Sequence, residues 1–365
     1  MMIRHILKYA FAVMLLGSLC ASCITDSEDD VQPAKKITVR FTLVAQKAQA
    51  GGSRAEVGDT HPTESGTDRE NEIDIENGDY RILAFDPASG YLYEDLTDNN
   101  GALVQKIEGE TQTEYHYTVT FSQLRTVFRL VVLANWNSFK EGSEDCYGTF
   151  TPLQTKLDDV MAKYYTLPKN QSGEMYIPMV GMQTYAINPD AIPEDNSETN
   201  PYKLADINML RSVAKIEVID GLGEEEISIT HVSLTGCNST GTFWPTIGDN
   251  SGWNTENIQV STPTILVNSE WNTTPLFFFK QEEGKHVLYV SECNVSDENN
   301  LAINITIRNP DDSEAIYSFN LNGYNESLLR NHIYRYEIKS ASTGLVVNYT
   351  VCPMEHGQTD IPGFE

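Results

Sequence analysis

Alternation of apolar and polar positions is the main signal along this chain. In Ile37-Thr38-Val39-Arg40-Phe41-Thr42-Leu43-Val44, Ile37, Val39, Phe41 and Leu43 fall on one face, and Thr38, Arg40 and Thr42 on the other. A period of two predicts a β-strand with one buried face. The period recurs in Tyr115 to Phe121 and in Ile227 to Leu234. It returns near the end, where Leu345, Val347, Tyr349 and Val351 alternate with Val346, Asn348 and Thr350. Phe128 to Ala134, before Asn135, is almost unbroken apolar sequence and predicts a central strand covered on both faces. Residues 79–85, with Tyr80-Arg81-Ile82-Leu83-Ala84-Phe85, and Tyr91-Leu92-Tyr93 flank a turn at Asp86-Pro87-Ala88-Ser89-Gly90 and predict a hairpin.

Further strands are predicted over Val213 to Ile219, Leu276 to Phe279, Val287 to Val290, Leu301 to Ile307, Ala315 to Phe319 and Arg330 to Ile338. Helical spacing occurs once in the first half: Leu153, Leu157, Val160, Met161 and Tyr164 predict a helix over residues 152–165. Residues 188–205 carry Pro189, Pro193 and Pro201 among acidic residues and predict an exposed connection, with a domain boundary just beyond it, near residue 208. Glu224-Glu225-Glu226 predicts a solvated turn.

Composition narrows the choice. The 365 residues are 40% hydrophobic and 10% aromatic, enough to fill one large or two medium cores. With long helical patterns scarce, the chain is read as all-β. It carries 25 Lys and Arg against 52 Asp and Glu, a net charge of −27. That argues against nucleic acid or an anionic membrane surface as partner.

The N-terminus reads as a leader. Arg4, His5 and Lys8 precede the short apolar run Phe11 to Leu19, too short to span a bilayer. Leu19-Cys20-Ala21-Ser22-Cys23 resembles a bacterial lipoprotein signal, with residues 1–22 as the signal peptide, Cys23 lipidated, and residues 23–36 as a tether. Cys20 and Cys23 form a C-x-x-C, but at the end of a signal segment this does not read as a metal or redox site. Cys146, Cys237, Cys293 and Cys352 have irregular spacing that pairs none of them; they are read as packed free thiols, with oxidation open to an exported chain.

After the first strand, 37–46, comes a polar loop, 47–72, containing Gly51-Gly52-Ser53-Arg54 and then Pro62, Gly66 and Arg69. A Gly-flanked Arg in such a loop is accessible to an Arg-specific protease. The Arg54-Ala55 bond is the expected cleavage site, with Arg69 as runner-up.

No nucleophile elbow, H-E-x-x-H, phosphate loop or dinucleotide fingerprint occurs. The seven histidines are scattered, and none pairs with another His or a Cys at ligand spacing. Asp98-Asn99-Asn100-Gly101 lacks the alternating oxygens and the following Glu of a calcium loop and is read as a turn. The chain is expected to be a non-enzyme with no metal and no cofactor. Trp244, Trp253 and Trp271 lie in a Gly/Asn/Thr-rich region; they are read as buried, with a sugar-binding surface as the alternative.

Several short motifs, taken in order, resemble the type V pilins, or fimbrillins, of Gram-negative anaerobes. They are the lipobox at Cys23, the strand and loop ending at Arg54, Val131-Val132-Leu133-Ala134-Asn135, Ile177-Pro178-Met179-Val180-Gly181, Arg211-Ser212-Val213-Ala214-Lys215-Ile216-Glu217-Val218, Leu288-Tyr289-Val290-Ser291-Glu292 and Arg330-Asn331-His332-Ile333-Tyr334. Cys352-Pro353-Met354 departs from the pattern, since many relatives carry a Trp in the tail.

The resemblance implies two transthyretin-like β-sandwich domains in tandem, 37–208 and 209–340, followed by a tail, 341–365. It implies an outer-membrane lipoprotein precursor that reaches cell-surface fimbriae after cleavage at Arg54. It further implies polymerisation by strand exchange, with adhesion to a host or bacterial surface receptor. In that scheme Ile37, Val39, Phe41 and Leu43 are displaced, and Leu345, Val347, Tyr349 and Val351 of another pilin subunit replace them. An uncleaved carbohydrate-binding surface lipoprotein, a tip adhesin and a membrane-anchoring pilus base are the alternatives.

Overall fold

The computed structural model describes residues 36–46, 72, 74–97, 102–109, 112–123, 125–140, 145–222, 227–245, 271–272, 274–281, 284–295, 301–323, 327–340 and 346–353. Cys20, Cys23, Arg54, Ala55, Arg69, the turns at 98–101 and 224–226, Trp253 and Leu345 lie outside them.

The described chain is almost entirely β. Ten strands form the first group: β1 (Ile37–Gln46), β2 (Tyr80–Phe85), β3 (Leu92–Asp95), β4 (Ala102–Glu108), β5 (Gln112–Phe121), β6 (Val127–Ala134), β7 (Tyr164–Thr166), β8 (Met179–Ala186), β9 (Tyr202–Lys203) and β10 (Ile207–Arg211). All but β7 run in the order β3-β2-β6-β8-β10-β1-β5-β4, with β9 against β1. The predicted hairpin is β2–β3, and its turn is fixed by the Asp86 carboxylate, which accepts the Ala88 and Ser89 N–H groups at 2.9 Å. The apolar strand β6 lies between β2 and β8, as its continuous pattern requires.

Two motifs acquire physical causes here. Asn135 holds a left-handed backbone (φ 61°) at the end of β6 and is buried. Its amide donates to the carbonyls of Asp74 (2.7 Å) and Ile177 (3.0 Å), and its oxygen accepts the Glu76 N–H (2.8 Å). Asn tolerates this conformation and its side chain satisfies three backbone groups at once. At Gly181 a Cβ would lie 2.6 Å from Met209 Sδ and 2.8 Å from Ile207 Cγ2, so only glycine lets β8 approach β10.

The predicted helix over 152–165 shrinks to α1 (Leu157–Met161). Leu153 has a left-handed backbone (φ 62°) and is exposed, so no helix passes through it. Tyr164 is exposed on β7, which pairs with Thr240–Thr242. The helical face reduces to Leu157 and Val160, with Met161 half-buried.

The second group comprises β11 (Ala214–Asp220), β12 (Ser228–Thr235), β13 (Cys237–Asn238), β14 (Thr240–Thr242), β15 (Trp271–Asn272), β16 (Leu276–Phe277), β17 (Phe279–Lys280), β18 (Lys285–Val290), β19 (Cys293–Asn294), β20 (Ala302–Arg308), β21 (Glu314–Asn320), β22 (Ser327–Leu328), β23 (His332–Ser340) and β24 (Val346–Pro353). One sheet runs β17-β18-β11-β23-β24 and another β16-β12-β20-β21. Leu276 to Phe279, predicted as one strand, divides between these sheets at buried Phe278. Ile216, Val218, Leu288, Tyr334 and Tyr336 of one sheet share an apolar core with Val232, Leu234, Ile303 and Ile305 of the other. The changeover between the groups lies at Ser212–Val213, just past β10, and all 24 strands among the described residues belong to one compact unit.

Candidate functional site

The alternating strand β1 is an internal strand. It pairs antiparallel with β5 along its whole length, from Ile37 opposite Phe121 to Gln46 opposite Gln112. On its other side, Leu43–Ala45 run parallel to Ile207–Met209 of β10, and Val39–Arg40 run parallel to Tyr202–Lys203 of β9. Ile37, Val39, Phe41 and Leu43 are 2%, 0%, 1% and 0% exposed. Phe41 stacks on Tyr117, with ring centroids 5.9 Å apart. Burial of four such side chains contributes on the order of 6–12 kcal/mol. Withdrawing β1 would therefore open an apolar slot with two unpaired backbone edges, a template for another strand.

The connection over 188–205, largely exposed as predicted, also holds β1. The Thr38 N–H donates to Asn196 Oδ1 at 2.8 Å, and Asn196 Nδ2 donates to the Thr38 carbonyl at 2.9 Å. The Leu204 N–H donates to the Arg40 carbonyl at 2.8 Å.

The tail strand β24 lies at the edge of its own sheet, antiparallel to β23, with Val347 opposite Ile338 and Val351 opposite Tyr334. Val347, Tyr349 and Val351 share a face that is only half-buried, and Tyr349 stacks on Tyr336 at 5.0 Å. The first strand is thus enclosed and the tail is at the margin.

Two buried ionic clusters, neither foreseen from sequence, join the motifs. Glu72, the last residue of the Arg54 loop, is wholly buried. Its Oε1 meets Lys215 Nζ at 2.7 Å and accepts the Tyr289 hydroxyl at 2.6 Å, while its carbonyl accepts Arg211 Nε at 2.8 Å. Arg211 Nη1 donates to Asn331 Oδ1 at 3.0 Å. Lys215 also meets Glu217 at 2.9 Å, and Glu217 meets Arg335 at 2.8 Å. In the second cluster Arg330 and Glu292 pair at 2.7 Å, both buried, and Arg330 donates to the carbonyls of Phe243 (2.9 Å) and Thr242 (3.1 Å). The end of the loop is therefore pinned three residues after Arg69 and seventeen residues downstream of Ala55.

Burial raises the Glu217 carboxyl, but Lys215, Arg335 and Lys285 outweigh it and bring its pKa down to about 2. Burial, with nearby Lys280, brings His286 down to about 4. Both folded-state values lie below those of the unfolded chain, so both groups add stability at neutral pH and lose it on acidification. His286 acts as pH falls from about 6.5 to 4, and Glu217 as it falls from about 4.5 to 2, each on the order of 3 kcal/mol. Urea unfolding midpoints should fall between pH 7 and 5, and His286→Asn should flatten that first step. A midpoint constant from pH 7 to 3 would contradict this assignment.

Trp244 is wholly buried in the core and offers no face to a sugar, and nothing is described of the Trp271 side chain. Cys146, Cys237 and Cys293 carry free thiols, and burial pushes Cys237 up to about 12. No cluster of metal-ligating side chains occurs among the described residues.

No curated protein matches the chain. Among solved structures it is similar to a fimbrial assembly protein from Parabacteroides distasonis, with 14% identity, TM-score 0.49, and 87% of this chain and 96% of that one covered. It is similar to the tip fimbrial protein Mfa3 from Porphyromonas gingivalis, with 14% identity, TM-score 0.49, and 86% and 99% covered. It is also similar to the fimbrial anchor protein Mfa2 of the same organism, with 9% identity, TM-score 0.35, and 88% and 100% covered. A family model described as fimbrillin-A associated anchor proteins Mfa1 and Mfa2 matches residues 34–356, nearly the whole chain, and the chain belongs to that type V pilin-like family.

Proposed function

We propose that this protein is a subunit of a cell-surface fimbria, exported as a lipoprotein through Cys23 and joined to other subunits by strand exchange at the β1 slot. The observation that carries the reading is the position of β1: an internal strand, its apolar face fully buried, whose covalent link to the remaining fold runs only through the loop that contains Arg54. Cleavage there leaves the strand held by non-covalent contacts alone. Arg54 is favoured over Arg69 because a protease needs several extended residues on both sides of the scissile bond. Three residues beyond Arg69, Glu72 is fixed through its side chain and its carbonyl. The incoming strand would supply main-chain hydrogen bonds along β5 and apolar side chains for alternate pockets. Such a head-to-tail contact does not close and extends as a filament.

A second reading, a base subunit that keeps its lipid and its first strand, is favoured by the anchor proteins in the family's description. N-terminal sequencing of the protein extracted from the cell surface separates the two. A start at Ala55 is expected for the exchanging subunit. A blocked start at Cys23 on all molecules would overturn cleavage and leave the anchor.

A further inference from the structure

The first half of β1 lacks a full strand on one side. Strand β10 reaches only Leu43–Ala45, and the two-residue β9 covers only Val39–Arg40. The gap at Thr38 is closed by one side chain, Asn196, whose amide makes a two-point contact with the Thr38 main chain at 2.8 and 2.9 Å. That amide copies the donor–acceptor pair of a missing neighbouring strand. It is itself held in place: Asn196 N–H donates to the Pro193 carbonyl (3.1 Å), Ser197 and Asn200 exchange backbone hydrogen bonds, and Asn200 Nδ2 donates to Asp195 Oδ1 (2.6 Å). Arg40 adds a contact from the strand to the Glu198 carbonyl at 3.4 Å.

We infer that Asn196 and the turn 195–204 form a clasp for extended backbone, which holds β1 before cleavage and receives the main chain of an incoming strand afterwards. The second half of this inference rests on the strand-exchange reading. Asn196 touches only the N–H and C=O of Thr38, so it is indifferent to the side chain at that position. Aligning Leu345-Val347-Tyr349-Val351 with Ile37-Val39-Phe41-Leu43 puts Val346 of a second copy where Thr38 stands, and the clasp accepts Val346 as readily as Thr. Register is then chosen by the apolar alternation: a strand slipped by one residue would turn its apolar face out of the slot, whereas one with Val346 at Asn196 presents Val347 and Tyr349 inward.

Two measurements test this. In the uncleaved chain, Asn196→Ala should speed hydrogen exchange at the Thr38 amide about tenfold, the loss expected for a hydrogen-bonded pair, and leave Val44 and Ala45, held by β10, unchanged. Asn196→Asp, which keeps the acceptor and loses the donor, should fall between. Unchanged exchange at Thr38 in Asn196→Ala overturns the clasp. In protein nicked after Arg54, a synthetic peptide of residues 344–353 should displace the labelled 1–54 fragment. N-methylation of the peptide at Val346 should weaken its retention about tenfold on the wild type and not at all on Asn196→Ala. Equal weakening on both proteins overturns the clasp's role toward the incoming strand. Failure of the unmodified peptide to bind wild type overturns the exchange reading and the second half of the inference with it, while the Thr38 exchange rates still decide the first half.

Discussion

Lys215→Met should destabilise the folded chain by about 3–5 kcal/mol, because it leaves the buried Glu72 carboxylate without its cation. Burial disfavours the Lys215 ammonium, yet Glu72 and Glu217 outweigh that penalty and hold its pKa above the ordinary value. Glu217 keeps Arg335 in the variant, so the loss falls on Glu72, which retains the Tyr289 hydroxyl. The loss comes from a buried charge left without its partner, so removing that charge should reverse part of it. Adding Glu72→Gln to Lys215→Met should restore part of the stability. Chemical denaturation of the three proteins at pH 7 checks this; a loss below about 1 kcal/mol for Lys215→Met, within the range of an exposed ion pair, would contradict it. A functional consequence follows from where Glu72 lies. With the anchor loosened, an Arg-specific protease should begin to cut after Arg69 as well as after Arg54.

Val347→Asp should leave a folded, cleavable monomer and abolish assembly. At the edge of its own sheet Val347 is half-buried, and an aspartate there keeps much of its hydration. Under strand exchange the same position would replace Val39, which is 0% exposed, and an unpaired carboxylate there would cost several kcal/mol. One substitution thus separates the two environments. Deleting residues 345–365 is a coarser variant, since it also uncovers Tyr336, which stacks on Tyr349. Circular dichroism and sedimentation of nicked Val347→Asp check the result: an unfolded monomer would show that the tail is needed at home, and filaments of normal length would exclude it as donor.

The alternation of β1, β5 and β12, the unbroken apolar run of β6 and the turn at Asp86 made most of the fold legible, because each is a local pattern. The helix predicted over 152–165 is longer than α1, since spacing alone does not reveal the left-handed backbone at Leu153. The ionic clusters were invisible for a different reason. Alternation assigns Lys215 and Glu217 to a solvent face, but β11 is internal, between β18 and β23, and both its faces are covered. A Lys-x-Glu pair within an internal strand was the available signal. Its partner Glu72 is one carboxylate among 52 acidic residues, more than a hundred residues away, and carries no mark of its own. Asn196 was hidden likewise in a connection whose prolines and acids read only as exposed. The tail's pattern marked a strand and left its sheet open; in the folded chain it lies on β23.

Under the proposed strand exchange, the strand occupying the β1 slot in the assembled fimbria comes from another copy's tail. In β1, Val39 stands opposite Val119 of β5; in the folded chain Val347 stands opposite Ile338. Opposed residues on antiparallel strands are close enough for a disulfide. Val119→Cys with Val347→Cys, nicked after Arg54 and oxidised, should give a ladder of covalent multimers whose linking peptides join position 119 of one subunit to position 347 of the next. Filaments that form without that link, while Ile338→Cys with Val347→Cys closes within every chain, would show that the tail stays at home and would contradict strand exchange by the tail.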